Sequence, residues 1–159
     1  MTKINIITMG GLKESYFKEC EAEYIKRLKP YCDIIYTELS PIKLPDGPSE
    51  KLINAALSKE TEEILSRLGS RHYLIALCVE GRQMTSERFA EIMAHISETG
   101  KEACFVIGSS FGLSEKIKSA AGLKLSLSAM TLPHQMARVA LAEQIYRAVT
   151  IQRGMKYHK

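Results

Sequence analysis

No apolar run in the chain approaches the roughly 20 residues that a helix needs to cross a bilayer. Segments such as Ile4–Met9 and Tyr73–Val79 are far too short. The apolar stretch that follows Lys3 is also too brief for a secretory signal. A cytoplasmic location with no membrane partner is therefore expected. Cys20, Cys32, Cys78 and Cys104 form no CxxC pair, and no histidine stands at zinc-finger spacing from them. That pattern argues against a metal centre and against a disulfide framework. Cys78 and Cys104 fall inside apolar, strand-like runs, where a thiol behaves as a small buried hydrophobe. The GxGxxG spacing of a dinucleotide site is missing, and no lysine follows a glycine turn as a phosphate loop requires. Internal repeats and low-complexity segments are absent too.

The 159 residues are 45 % apolar, enough for one compact domain over residues 1–159. A chain of that length buries roughly 70 % of its unfolded surface on folding. Net charge is only +4, but it is unevenly placed. Arg138, Arg147, Arg153, Lys156 and Lys159 face a single acid, Glu143, between Ala129 and the C-terminus. The remainder holds 17 basic and 17 acidic residues, so the whole excess lies in the last segment. Local positive charge of this kind marks a polyanion partner. It equally suits a solvated helix with cations near its negative dipole end.

Lys3–Met9 reads as a strand that ends at the turn Gly10-Gly11. Tyr16, Cys20, Tyr24 and Leu28 recur every four residues, a helical spacing that Pro30 terminates. Asp33–Leu39 is a second strand, and Ser40–Pro48 is a loop rich in proline. Ser49 should cap a helix to Leu68 whose buried stripe includes Leu52, Ala56 and Ile64. His72–Val79 is a strand, Glu80–Ser86 a polar loop, and Ser86 the expected cap of a third helix. Ala103–Ile107 is another buried strand, and Ser114 caps a short helix to Ala121. Lys124–Leu127 is a last strand, and Pro133 opens a final helix that Gly154 stops. Strands alternating with helices, with central strands apolar throughout, specify an α/β domain: a parallel sheet with helices on both faces. Ligands of such sheets bind beyond the carboxyl ends of the strands. That rule points to Glu80–Ser86, Gly108–Ser114 and Ser128–Pro133.

Three segments carry possible chemistry. Gly108-Ser109-Ser110-Phe111-Gly112 matches G-x-S-x-G, and Glu143 and His158 follow in the order a serine hydrolase would need. The match is short, and an α/β-hydrolase normally has more strands than this chain supplies. A purely structural turn is the better reading of that segment alone. Leu125–Arg138 runs from a strand through a Ser/Thr-rich loop into a helix, an arrangement that can present backbone groups to an adenine ring. His134 there is by default a surface or capping residue, and alternatively a base or RNA contact. The terminal Met155-Lys156-Tyr157-His158-Lys159 is by default a disordered tail. Its aromatic ring, imidazole and cations could instead stack on a base and hold phosphate.

The stretches FVIGSSFGLS, LSLSAMTLPHQMARVALAEQIYRA and RGMKYHK together strongly resemble the ribosomal RNA large-subunit methyltransferase H family, the smallest branch of the SPOUT (α/β-knot) methyltransferases. The similarity covers the whole chain, including the opening strand and its GGLKE segment, and is most specific in the C-terminal third. It implies a trefoil knot made by the C-terminal segment, a homodimer, and S-adenosylmethionine as cofactor. It also implies N3-methylation of a pseudouridine in 23S rRNA on assembled ribosomes. By position it assigns cofactor contacts to Leu77, Gly108, Leu127, Ser128, Ala129, Met130, Thr131 and Leu132. Ser109 stands where many relatives carry a second glycine, and Ser110 becomes a loop residue rather than a nucleophile.

Methyl transfer from a sulfonium is an in-line displacement that depends chiefly on positioning. The base nitrogen must also lose its proton, so a base or a stabilising cation is useful. His134, Arg138, Tyr157 and His158 are the residues expected around the target base. Glu143 could orient Arg147, take part in proton transfer, or form a structural ion pair. A non-catalytic ribosome-binding factor would also explain the basic tail, but would need no cofactor loop.

Overall fold

A computed structural model describes residues 2–159 of the chain. Strands and helices alternate in the order β1 (Thr2–Met9), α1 (Ser15–Leu28), β2 (Cys32–Leu39), α2 (Glu50–Ser66), β3 (His72–Arg82), α3 (Ser86–Glu98), β4 (Glu102–Ile107), α4 (Glu115–Ala120), β5 (Leu123–Leu125) and α5 (His134–Gln152). All strand pairs are parallel, and the sheet order is β2-β1-β4-β3-β5. The α/β class expected from the sequence is the one observed.

The central strand β4 shows why its sequence is apolar at nearly every position. Ala103, Phe105 and Ile107 face one side, where they join Ile4, Ile6 and Ile75 beneath Leu28, Phe89, Met93, Leu141 and Ile145 of α1, α3 and α5. Cys104 and Val106 face the other side, with Ile7, Leu74 and Ala76 beneath Ile64 of α2 and Ile117 of α4. Two cores back to back leave no polar face for a central strand.

Ser49 and Ser114 cap α2 and α4 by accepting hydrogen bonds from the Leu52 and Ile117 amides, at 3.2 and 3.3 Å. Gly154, at φ +62°, closes the end of α5. Several expectations need correction. Leu52, expected on the buried stripe of α2, is exposed, and the last strand spans Leu123–Leu125 and does not continue to Leu127. Thr85, not Ser86, caps α3: its Oγ1 accepts from the Arg88 amide, while the Ser86 hydroxyl donates to Gln144 on α5. Strand β3 continues through Glu80 and Gly81 to Arg82, because Gly81 lets the β5 backbone come close. A Cβ at Gly81 would lie 2.7 Å from the Leu125 carbonyl carbon. Tyr16 and Cys20 on α1 are exposed, and the buried positions of that helix are Glu21 and Leu28. Cys104 is fully buried as expected, but Cys78 is only half-buried. Among the described residues, no helix is long and apolar enough to cross a membrane.

Candidate active site

Parallel strands end on one edge of the sheet, and there the chain leaves a cavity of about 530 Å³. That size lies within the range of small-molecule and cofactor sites. Its apolar floor is made by Ile107 and Leu125, at the ends of β4 and β5, and by Leu77, which pairs with Ile107 midway along β3. One wall is the turn 108–112. The Gly112 amide donates to the Ser109 carbonyl at 2.8 Å, and Gly112 sits at φ +77°. A Cβ at Gly108 would overlap the Gly112 carbonyl, so the turn can be this tight only with glycine there. Behind the turn, the Ser109 hydroxyl donates to Glu60 Oε1 at 2.9 Å. Glu60 is buried on α2, and its Oε2 has no hydrogen-bond partner among the described residues. Burial pushes its carboxyl upward from the ordinary value, and the Ser109 bond offsets only part of this.

The opposite wall is the loop from Ser126 to Pro133. It is pinned to the end of β3 by the Ser126 amide, which donates to the Arg82 carbonyl at 3.1 Å. Within the loop the Ser126 hydroxyl donates to the Ser128 carbonyl at 2.9 Å, and the Met130 amide donates to Ser128 Oγ at 3.0 Å. Polar side chains thus hold the loop by local bonds.

Of the residues singled out from the sequence, Leu77, Gly108, Leu127, Ser128, Met130, Thr131 and Leu132 line this one cavity, and His134 joins them from the start of α5. Ala129 belongs to the same loop but is not among the lining residues. Arg138, one turn after His134, points elsewhere. It donates two bonds to Glu21 of α1, at 2.6 and 2.8 Å, and pairs with Glu38 at 2.7 Å. Its guanidinium lies 4.5 Å from the Tyr36 ring centre. Burial works against the Arg138 charge, but Glu21 and Glu38 outweigh it and hold the group more firmly protonated than usual.

The tail folds back on α5. Tyr157 donates to Glu143 at 3.0 Å and packs edge-on against Tyr146. Glu143 also holds Arg147, and Arg147 reaches His158 Nδ1 at 3.2 Å. His158 Nε2 meets Glu87 of α3 at 2.9 Å. Burial raises the Tyr157 phenol well above its ordinary value, so it remains a donor. Glu143 and Tyr146 lie nine to twelve residues beyond His134 along α5, about 15 Å at 1.5 Å per residue. Within one chain, then, His134 is separated from the Tyr157–His158 pair.

Two ionisable residues at the site, Lys118 and Glu60, were not singled out from sequence, and Glu80 was named only as the start of the 80–86 loop. Glu80 and Lys118 line the cavity, and Glu60 stands behind it. Glu60 carried one readable signal: it sits four residues from both Ala56 and Ile64, on the buried stripe of α2.

Comparison with known proteins gives these features a family. A family model described as predicted SPOUT methyltransferase matches residues 2–158. The chain belongs to the SPOUT methyltransferase family. It is 46 % identical over 157 residues to a protein of Leuconostoc mesenteroides named ribosomal RNA large subunit methyltransferase H, covering 98 % of this chain and 99 % of that one. Proteins of the same name from Streptococcus thermophilus and Streptococcus equi are 46 % and 42 % identical over 158 residues, with 99 % of each chain covered. Membership in this methyltransferase family leaves the hydrolase reading without support, and geometry agrees. Ser110 lines the cavity, but His158 is bonded to Arg147 and Glu87, and Glu143 to Arg147 and Tyr157. Among the described residues, no acid–histidine–serine relay is assembled.

Proposed function

We propose that this protein methylates N3 of a pseudouridine in 23S rRNA on assembled ribosomes, using S-adenosylmethionine, as a cytoplasmic homodimer. The observation that carries the reading is the convergence of seven of the eight proposed cofactor contacts on one cavity at the carboxyl edge of the sheet. The residues present suit the cofactor. The apolar strand ends match the adenosyl body, and the 126–132 loop offers backbone donors and acceptors to the adenine edge. When bound, S-adenosylmethionine supplies a methyl group activated on sulfonium.

The chain's own residues supply positioning and proton handling. The turn at Gly108 and the loop from Leu127 to Leu132 hold the cofactor between rigid strand ends, which fixes the direction of attack. His134 faces the cavity, where its imidazole can take the N3 proton or steady the anionic base. Tyr157 and His158, with their partners Glu143, Arg147 and Glu87, are not among the residues lining that cavity, so we assign them to the site of a second copy. Exposed Tyr16 on α1 and Met136 on α5 provide apolar surface for a twofold interface. Arg138 is assigned a positioning role between α1 and α5. The C-terminal segment is read as the threaded part of a knot, on the resemblance alone.

The test is transfer of labelled methyl groups to intact ribosomes and to protein-free 23S rRNA. Label in a modified pseudouridine from ribosomes alone is the expected result. Saturable cofactor binding without transfer to either substrate would overturn the catalytic reading. Sedimentation as a monomer at micromolar concentration would overturn the dimer.

A further inference from the structure

Among the described residues lining the cavity, Glu80 and Lys118 are the only members of the Asp, Glu, Lys and Arg set, and they are paired with each other. Glu80 extends from the end of β3, and Lys118 from α4, which Ile117 anchors in the core. The lysine side chain is only 15 % exposed, while its partner is 54 % exposed. Its second acid, Glu115, is an outward-facing contact at 3.5 Å. Holding an ammonium against an apolar cavity wall carries a desolvation penalty. Burial alone would lower the Lys118 value, but Glu80 and Glu115 outweigh it and raise it. An ordinary surface pair needs no such placement.

Taking the cofactor reading as its basis, we infer that Glu80 and Lys118 form the subsite for the amino-acid end of the cofactor, Lys118 receiving the α-carboxylate and Glu80 the α-ammonium. The two protein charges are opposite and sum to zero, as do those of an amino-acid zwitterion. Insertion of the ligand exchanges one ion pair for two charge-assisted hydrogen bonds, each stronger than a neutral one. A nucleoside polyphosphate brings several negative charges and meets a single lysine already neighboured by two acids. The subsite thus selects an adenosyl amino acid over an adenine nucleotide, which a cavity shaped for adenosine alone would not do.

Calorimetric titration with S-adenosylhomocysteine and with 5′-methylthioadenosine isolates this end of the ligand. The two share adenosine and a neutral thioether, and they differ in whether the amino-acid portion is present. The wild-type protein should bind S-adenosylhomocysteine at least about tenfold more tightly, the equivalent of one charge-assisted bond. Lys118→Met should abolish most of that difference while leaving the affinity for methylthioadenosine within about twofold. Glu80→Gln, a substitution at a largely exposed position, should narrow the gap in the same direction without endangering the fold. Equal loss of both ligands in Lys118→Met, or an unchanged gap in both variants, overturns the subsite. Failure of the wild type to bind either ligand would instead overturn the cofactor reading on which the subsite rests.

Discussion

Arg138 on α5 and Glu21 on α1 are joined by two parallel hydrogen bonds, Nε to Oε1 at 2.6 Å and Nη2 to Oε2 at 2.8 Å. Both side chains are nearly excluded from water, and the Tyr36 ring covers the guanidinium. A buried pair of this geometry aligns two helices, whatever its net contribution to stability. Removing one partner leaves the other charged and desolvated. Arg138→Met should therefore destabilise the protein by about 3–5 kcal/mol, whereas Glu21→Leu with Arg138→Met should recover much of that loss. Urea denaturation of the two single variants and the double variant measures the coupling. A double variant that is folded and stable but cannot methylate ribosomes would return Arg138 to the vicinity of the target base.

The sheet and most caps were legible because they depend on local chemistry. Ser49 and Ser114 precede their helices by one residue, and β4 is apolar on both faces because two cores enclose it. The cofactor loop was legible by resemblance, not by periodicity. Other features were hidden because they depend on contacts between residues distant in sequence. Nothing near Gly81 announces that β5 will pass so close that a Cβ there would lie within 3 Å of its backbone, so the end of β3 read as loop. Thr85 and Ser86 are both competent caps, and the choice is settled by Gln144, 58 residues away, which engages Ser86. Arg138 read as a cation for RNA until Glu21, 117 residues earlier, was placed against it.

Gly108 and Gly100 make opposite predictions for the same substitution. A methyl group at Gly108 would collide with the Gly112 backbone, so the 108–112 wall must open. Gly108→Ala should weaken S-adenosylmethionine binding by about tenfold or more, the equivalent of roughly 1.4 kcal/mol. Gly100 lies at φ +73° with open space around its α-carbon, far from the cavity lining. Gly100→Ala should cost about 1 kcal/mol of stability through backbone strain and leave binding unchanged. Equal affinities for the two variants would show that the turn at Gly108 does not shape the site.

Glu60 sets a pH dependence with a defined sign. Burial raises its folded value above the ordinary 4.5, with the Ser109 bond only partly opposing. The folded state thus holds this proton more tightly than the unfolded state. The associated stability is fully present below the unfolded value and is lost as pH rises through the raised folded value. Glu60→Gln keeps an oxygen for the Ser109 hydroxyl and cannot ionise. Its stability relative to wild type should rise as pH increases above 4.5 and level off once wild-type Glu60 is charged. Denaturation curves for both proteins across that range provide the comparison; a constant difference at every pH would exclude the effect.

The last contact to test is the one that holds the tail. Arg147 lies 3.2 Å from His158 Nδ1, and Glu87 lies 2.9 Å from Nε2 on the other side of the ring. The imidazole is thereby held in place by residues from two helices. The hydrogen bond from His158 is the main reason that the Glu87 carboxyl falls to about 2, helped by its own backbone amide and Thr85. Glu87→Ala removes the Nε2 partner but leaves Arg147 in place. Because Glu87 is exposed, global stability should change by no more than about 0.5 kcal/mol. Hydrogen exchange at residues 155–159 should accelerate, because one of the tail's anchors has gone. If an ordered tail presents Tyr157 and His158 to the substrate of a second copy, methylation should slow several-fold while cofactor affinity stays constant. Unchanged exchange would show that Tyr157 and Arg147 suffice to hold the tail. Faster exchange with full activity would remove tail order from the requirements of catalysis.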